Sequence, residues 1–246
     1  LNYATPVGLM GGEPYRIMEL TPYVGASKAT SSVILYVMMH IFSHFCFWFF
    51  SIFLYLALRP VDIAMGTILA VVGAVSLLAI YFFMKGYKNG MAVRTLKLLQ
   101  HIPFIKEWAK RFSENKREAL ERVDSQIAEL HKQRRSTFYA SLSLEFMARI
   151  IGCLEVYFIL NILTTDVSFP ACILIMAFTS LFANLFFFSP MQLGAREGGF
   201  ALAVGGLAIP GAFGVYTGLI TRVRELIWIV IGVLLMKVGN GTPANK

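Results

Sequence analysis

The 246 residues are 57% hydrophobic and only 15% charged, with a mean hydropathy of +0.66. Soluble domains carry about 45–50% apolar and about 25% charged residues, so this composition excludes an ordinary soluble domain and implies lipid as the solvent for much of the chain. The formal net charge of +8 and the four histidines then have to be placed along a helical membrane protein.

The chain opens at Leu1 on an irregular stretch, Pro6-Val-Gly-Leu-Met-Gly-Gly-Glu13, followed by Arg16. Proline and glycine interrupt a helix here. The first long apolar run is Ser31 to Leu58, closed by Arg59-Pro60. A bilayer core of about 30 Å needs about 20 such residues. Within the run, His40 and His44 share one helical face. A pair at i, i+4 is a weak metal candidate, because the HIFSH spacing lacks the third ligand and base of a zinc site. Hydrogen-bonded interior histidines are the simpler reading, and no cofactor is expected.

The second run is Val61 to Met84. The segment 85–135 follows, with 13 of the 22 basic residues against 6 acids. This is nearly the whole net charge, and by the positive-inside rule it places the loop in the cytoplasm. Ile105, Trp108 and Phe112 form one apolar stripe, and Leu120, Val123, Ile127 and Leu130 a second. The pattern predicts amphipathic helices on the membrane surface. Interleaved acids and the lack of a recognition motif argue against nucleic acid as a partner.

The third run, Thr137 to Leu163, carries Glu145, Arg149 and Glu155. Ionisable groups in a span cost about 2.5–3.5 kcal/mol each on insertion scales and face protein or a wet cavity. Glu145 and Arg149 lie four apart on one face and form either a structural pair or part of a polar path. Glu155 has no basic residue at i±4 and needs a cation from elsewhere. The fourth run is Pro170 to Phe188. After Pro190 the sequence turns irregular and glycine-rich up to Gly218, and a final apolar run covers Leu226 to Val238. Cys46, Cys153 and Cys172 all lie in apolar stretches and read as small buried residues.

Pro190-Met-Gln-Leu-Gly-Ala-Arg-Glu197, followed by Gly198-Gly199, repeats the early pattern: a proline, six residues including glycine, a glutamate, and an arginine alongside. Interrupted backbone inside a bilayer is tolerated only where protein or water covers it. Matching interruptions in two halves of a chain point to a transporter-like site between inverted repeats. The two segments are expected to meet near the midplane, with Glu13 and Glu197 on one cavity and Arg16 and Arg196 beside them.

GLMGGEPYRIMEL, EFMARIIGCLEVYFIL and SPMQLGAREGGFALAVGGLAIPGAFGVYTGLITRVRELIWIVIGVLL resemble the lysylphosphatidylglycerol synthase transmembrane region, also called the flippase-like domain family. The resemblance covers most of the chain apart from the basic loop. It implies one all-α transmembrane domain over 1–246, with 85–135 inserted in it, and further N-terminal helices upstream. It marks Gly11, Gly12, Glu13, Arg16, Gly194, Arg196, Glu197 and Gly198, and Arg222 with Glu225 at the head of the last span. Relatives often place a Glu-Arg pair and an Asp where Tyr36, Val37 and His40 stand here. The soluble aminoacyl-transfer domain of bifunctional relatives is absent, so no enzyme activity is expected.

The implied function is a lipid transporter of a bacterial inner membrane, moving a phospholipid or other amphiphile between leaflets. Glu13, Arg16, Glu145, Arg149, Glu155, Arg196, Glu197, Arg222 and Glu225 are its candidate substrate-binding residues. The alternatives are an ion- or proton-coupled small-solute transporter and a non-transporting partner of a lipid or envelope biosynthetic enzyme. Membrane lipids, a separate lipid-modifying enzyme and a second copy of the chain are the expected partners.

Overall fold

A computed structural model describes residues 12–89, 125, 135–164, 166–186 and 192–239. Among these residues the chain is all helix: α1 (Glu13–Val24), α2 (Ala26–Leu58), α3 (Ile63–Asn89), α4 (Arg135–Leu163), α5 (Phe169–Leu185), α6 (Ala195–Gly205) and α7 (Gly211–Gly239). Ala26–Leu58, Ile63–Lys85 and Ser136–Leu163 are long and apolar enough to cross a membrane, and α5 is a shorter apolar helix. The amphipathic stripes of the basic loop, and Pro6 to Gly11 of the first interrupted segment, lie outside the described residues.

The helices form two compact units. One contains Arg16–Arg149, the other Leu1–Tyr15 with Ile150–Lys246. In the first unit, α2 turns into α3 through Arg59–Asp62. The Asp62 carboxylate caps the new helix by accepting from the Met65 amide at 2.8 Å. Met39, Phe42, Phe83 and Phe138 make the buried core, with Phe42 stacked on Phe83 at 4.1 Å between ring centroids.

In the second unit, Val156, Leu160, Cys172, Ile175, Phe200 and Val204 are buried together. Asn161 closes the α4–α5 connection: its amide nitrogen donates to the Val167 carbonyl at 3.0 Å, and its amide oxygen accepts from the Val167 N–H at 3.3 Å. Ser168 caps α5 and Pro170 occupies its first turn, where a missing N–H costs nothing.

The structure corrects the sequence reading after Pro190. The glycine-rich stretch to Gly218 is not irregular throughout. It contains α6 and the first two turns of α7, so Arg222 and Glu225 lie inside a 29-residue helix and not at its head. Glycines at i and i+4 here serve close packing. A Cβ on Gly214 would sit 2.5 Å from the Phe200 carbonyl oxygen, and one on Gly218 would sit 3.1 Å from Glu197 Cγ. In lipid, helix association relies on such contact, since the surrounding tails are as apolar as the side chains.

Candidate functional site

Among the described residues, each unit holds one polar cluster. In the first, α2 presents Tyr36, His40, His44 and Trp48 at successive i, i+4 positions, so their rings form a column. Tyr36 stacks on His40 at 6.2 Å, His40 meets His44 edge-on at 5.3 Å, and His44 lies 5.6 Å from Trp48. The Arg16 guanidinium from α1 sits 4.7 Å over the Tyr36 ring.

Arg149 of α4 reaches into this column. Its Nε donates to Ser43 Oγ at 2.7 Å, its Nη2 to the His40 carbonyl at 2.9 Å, and its Nη1 lies 3.1 Å from His44 Nδ1. Ser43 in turn donates to the His40 carbonyl at 2.9 Å. Arginine has no acceptor, so His44 Nδ1 carries the lone pair in this contact. His40 Nδ1 stands 3.4 Å from both Arg149 Nη2 and Glu145 Oε2. The two histidine Nδ1 atoms thus face a guanidinium cation, which opposes a second cation, and no group of three potential ligands lies together among the described residues.

Glu145 also lines a cavity of about 570 Å3 between α2 and α4. Ser32, Tyr36, Thr137 and Ser141 give the walls hydroxyls, and Leu35, Met39, Phe138 and Leu144 give them apolar surface. Of its lining residues, Leu144 is 70% exposed and Tyr36 43%.

The second unit's cluster is a chain of ion pairs. Glu197, in the first turn of α6, accepts from the Gly194 backbone N–H at 2.9 Å and from Arg222 Nε at 2.9 Å. Gly194 has φ +78°, a conformation that favours glycine at this entry to the helix. Arg222 also donates to the Gln192 carbonyl at 3.0 Å and to Glu225 at 3.3 Å. Arg196 binds the other oxygen of Glu225, and Arg224 binds Glu155. Gly198 is half-buried near Phe182, and a Cβ added to the buried Gly199 would sit 3.3 Å from the Thr179 Cα of α5.

The candidate residues therefore divide. Arg16, Glu145, Arg149, His40 and His44 belong to the first cluster; Glu155, Arg196, Glu197, Arg222 and Glu225 belong to the second. Glu13, with buried Gly12 before it, opens α1 in its first turn, as Glu197 does α6. Gly11 lies outside the described residues. Sequence reading missed Arg224 as the cation for Glu155, because the two are 69 positions apart. It also missed Ser43, a hydroxyl with no distinguishing neighbour in the sequence.

Among the described residues, three helices long and apolar enough to span and ion pairs set among apolar helices define a polytopic helical membrane protein. The chain belongs to the family described as Lysylphosphatidylglycerol synthase TM region, whose family model matches residues 1–232. No curated protein and no solved structure matches the chain.

Proposed function

We propose that this protein moves an amphiphilic lipid between membrane leaflets, with the head group carried in the cavity between α2 and α4. The observation that carries this reading is the cavity's lining. A carboxylate and several hydroxyls stand next to apolar wall, and the exposed Leu144 and Tyr36 stand on helices of spanning length, which supports an opening toward lipid. Its volume, about 570 Å3, lies within the usual range for small-molecule sites. A closed solute pathway has no need of an apolar rim, and this disfavours the small-solute alternative.

Glu145 is the residue assigned to the head group. It is 27% exposed, and His40 holds one of its two oxygens. In the second unit, every carboxylate of the cluster is matched by an arginine, which suits a positioning role for Arg196, Arg222 and Arg224. Family membership supports the lipid context, and the charge of 85–135 supports a cytoplasmic loop. The doubled Pro-x6-Glu pattern supports an inverted repeat that brings Glu13 and Glu197 to a common path.

Reconstitution tests the reading. Vesicles holding the protein and acyl-chain-labelled phosphatidylethanolamine or phosphatidylglycerol should expose inner-leaflet probe to an external quencher faster than empty vesicles. Glu145→Gln should slow this at least tenfold. Movement no faster than in empty vesicles for every lipid copurified and identified by mass spectrometry would overturn it.

A further inference from the structure

His40 stands between two groups of opposite charge, equally distant from each. Its Nδ1 is 3.4 Å from Glu145 Oε2 and 3.4 Å from Arg149 Nη2. One nitrogen cannot serve both contacts. With a lone pair, Nδ1 accepts from Arg149; with a proton, it donates to Glu145. Arg149 does not depend on this contact, because Ser43 Oγ at 2.7 Å and the His40 carbonyl at 2.9 Å hold its guanidinium to α2 in either state. The choice at Nδ1 therefore falls on Glu145, the carboxylate of the cavity wall.

We infer that His40 is a proton-binding residue that couples lipid movement to proton movement, by competing with the head group for Glu145. The inference rests on the reading of the cavity as a head-group site. When His40 is doubly protonated, both ring nitrogens are donors. Nδ1–H then draws the Glu145 carboxylate toward α2 and away from a hydrogen-bond-donating head group. When the proton leaves, Nδ1 turns to Arg149 and Glu145 is free for the cavity. Occupancy by a proton and by a lipid are thus mutually unfavourable, which is the requirement for exchange between them.

Among the described residues, the groups facing His40 are few. From α4 they are Glu145, which favours the proton, and Arg149, which opposes it. From α2 they are His44 and Tyr36, and from α1 Arg16 across the Tyr36 ring. On α3, Lys85 is turned onto Tyr81.

The test is the reconstituted vesicle with labelled phosphatidylethanolamine and an imposed pH gradient of either sign. For the wild type, the transfer rate should differ several-fold between the two signs. For His40→Gln that ratio should fall to about one. A wild-type ratio of one, or a ratio kept in His40→Gln, overturns the coupling and leaves the transport reading in place. No movement by the wild type overturns the transport reading instead.

A second measurement does not need transport. Histidine ring 15N shifts are recorded in lipid nanodiscs, with His40 assigned by its loss in His40→Gln. The His40 signal should change with pH and should respond differently in Glu145→Gln. No titration, or an unchanged response in Glu145→Gln, overturns the inference even if His40→Gln is inactive for another reason.

Discussion

Glu225 illustrates how an ionisable residue is accommodated in an apolar helix. Its side chain is 5% exposed, and one carboxylate oxygen goes to Arg196 while the other goes to Arg222. Removing one partner of a buried pair costs about 3–5 kcal/mol, because the remaining charge is left uncompensated. Glu225→Ala should therefore lower the unfolding free energy in detergent by roughly that amount, read from a denaturation midpoint. Glu225→Gln keeps one acceptor oxygen and so can serve only one of the two arginines; its loss should fall between that of Glu225→Ala and the wild type. The sequence showed that charges lay in apolar stretches and that each needed a partner. It did not show which partners, because Glu155 finds its cation 69 residues away and Glu197 finds its cation 25 residues away. Arg222 and Arg224 also project to different sides of α7, so two near neighbours in sequence serve different carboxylates.

At the scale of the element, the apolar runs gave the spanning helices within a few residues, because length and hydropathy suffice for that. The α6–α7 pair was not legible, since glycine has two uses that composition does not separate. At Gly194 it allows a positive φ; at Gly214 it allows backbone to touch backbone. A methyl group at Gly214 would meet carbonyl and Cα atoms of Phe200 and Ala201 at 2.5–2.7 Å, which no side-chain rotation relieves. Gly214→Ala should destabilise the protein by about 1–3 kcal/mol, as overpacking does. Gly232, on the same helix, has nothing within 4 Å of its added methyl. Gly232→Ala should stay within about 1 kcal/mol of the wild type, on the favourable side, since alanine is the better helix former. Thermal unfolding of both variants in one detergent checks the contrast.

For the molecule as a whole, membrane integration follows from composition and from the three helices of spanning length among the described residues, and a cytoplasmic loop 85–135 is proposed from its charge. The loop 85–135 carries 13 basic residues, while the turn between α2 and α3 holds one arginine and one aspartate. A cysteine placed at Lys116 should react with an impermeant maleimide only after the cells are opened. Efficient labelling of intact cells would reverse the topology. The candidate site was partly legible at this scale: the sequence named most of the charged residues of both clusters. The cavity between α2 and α4 was not foreseen, because its walls are hydroxyls and ordinary apolar side chains that acquire meaning only from their placement.

The α6–α7 ion pairs also bear on how the chain enters the bilayer during synthesis. Helix α6 has eleven residues, too few to span, and begins with Arg196 and Glu197. The groups that neutralise them, Glu225 and Arg222, emerge from the ribosome some 25 to 29 residues later. Until then α6 has little reason to leave the aqueous channel of the insertion machinery. The two helices should be released into lipid together, as a hairpin whose charges are already matched. A chain truncated after Gly206 and carrying a glycosylation acceptor near its end should give mixed orientations in a microsomal insertion assay, whereas one truncated after Gly239 should give a single orientation.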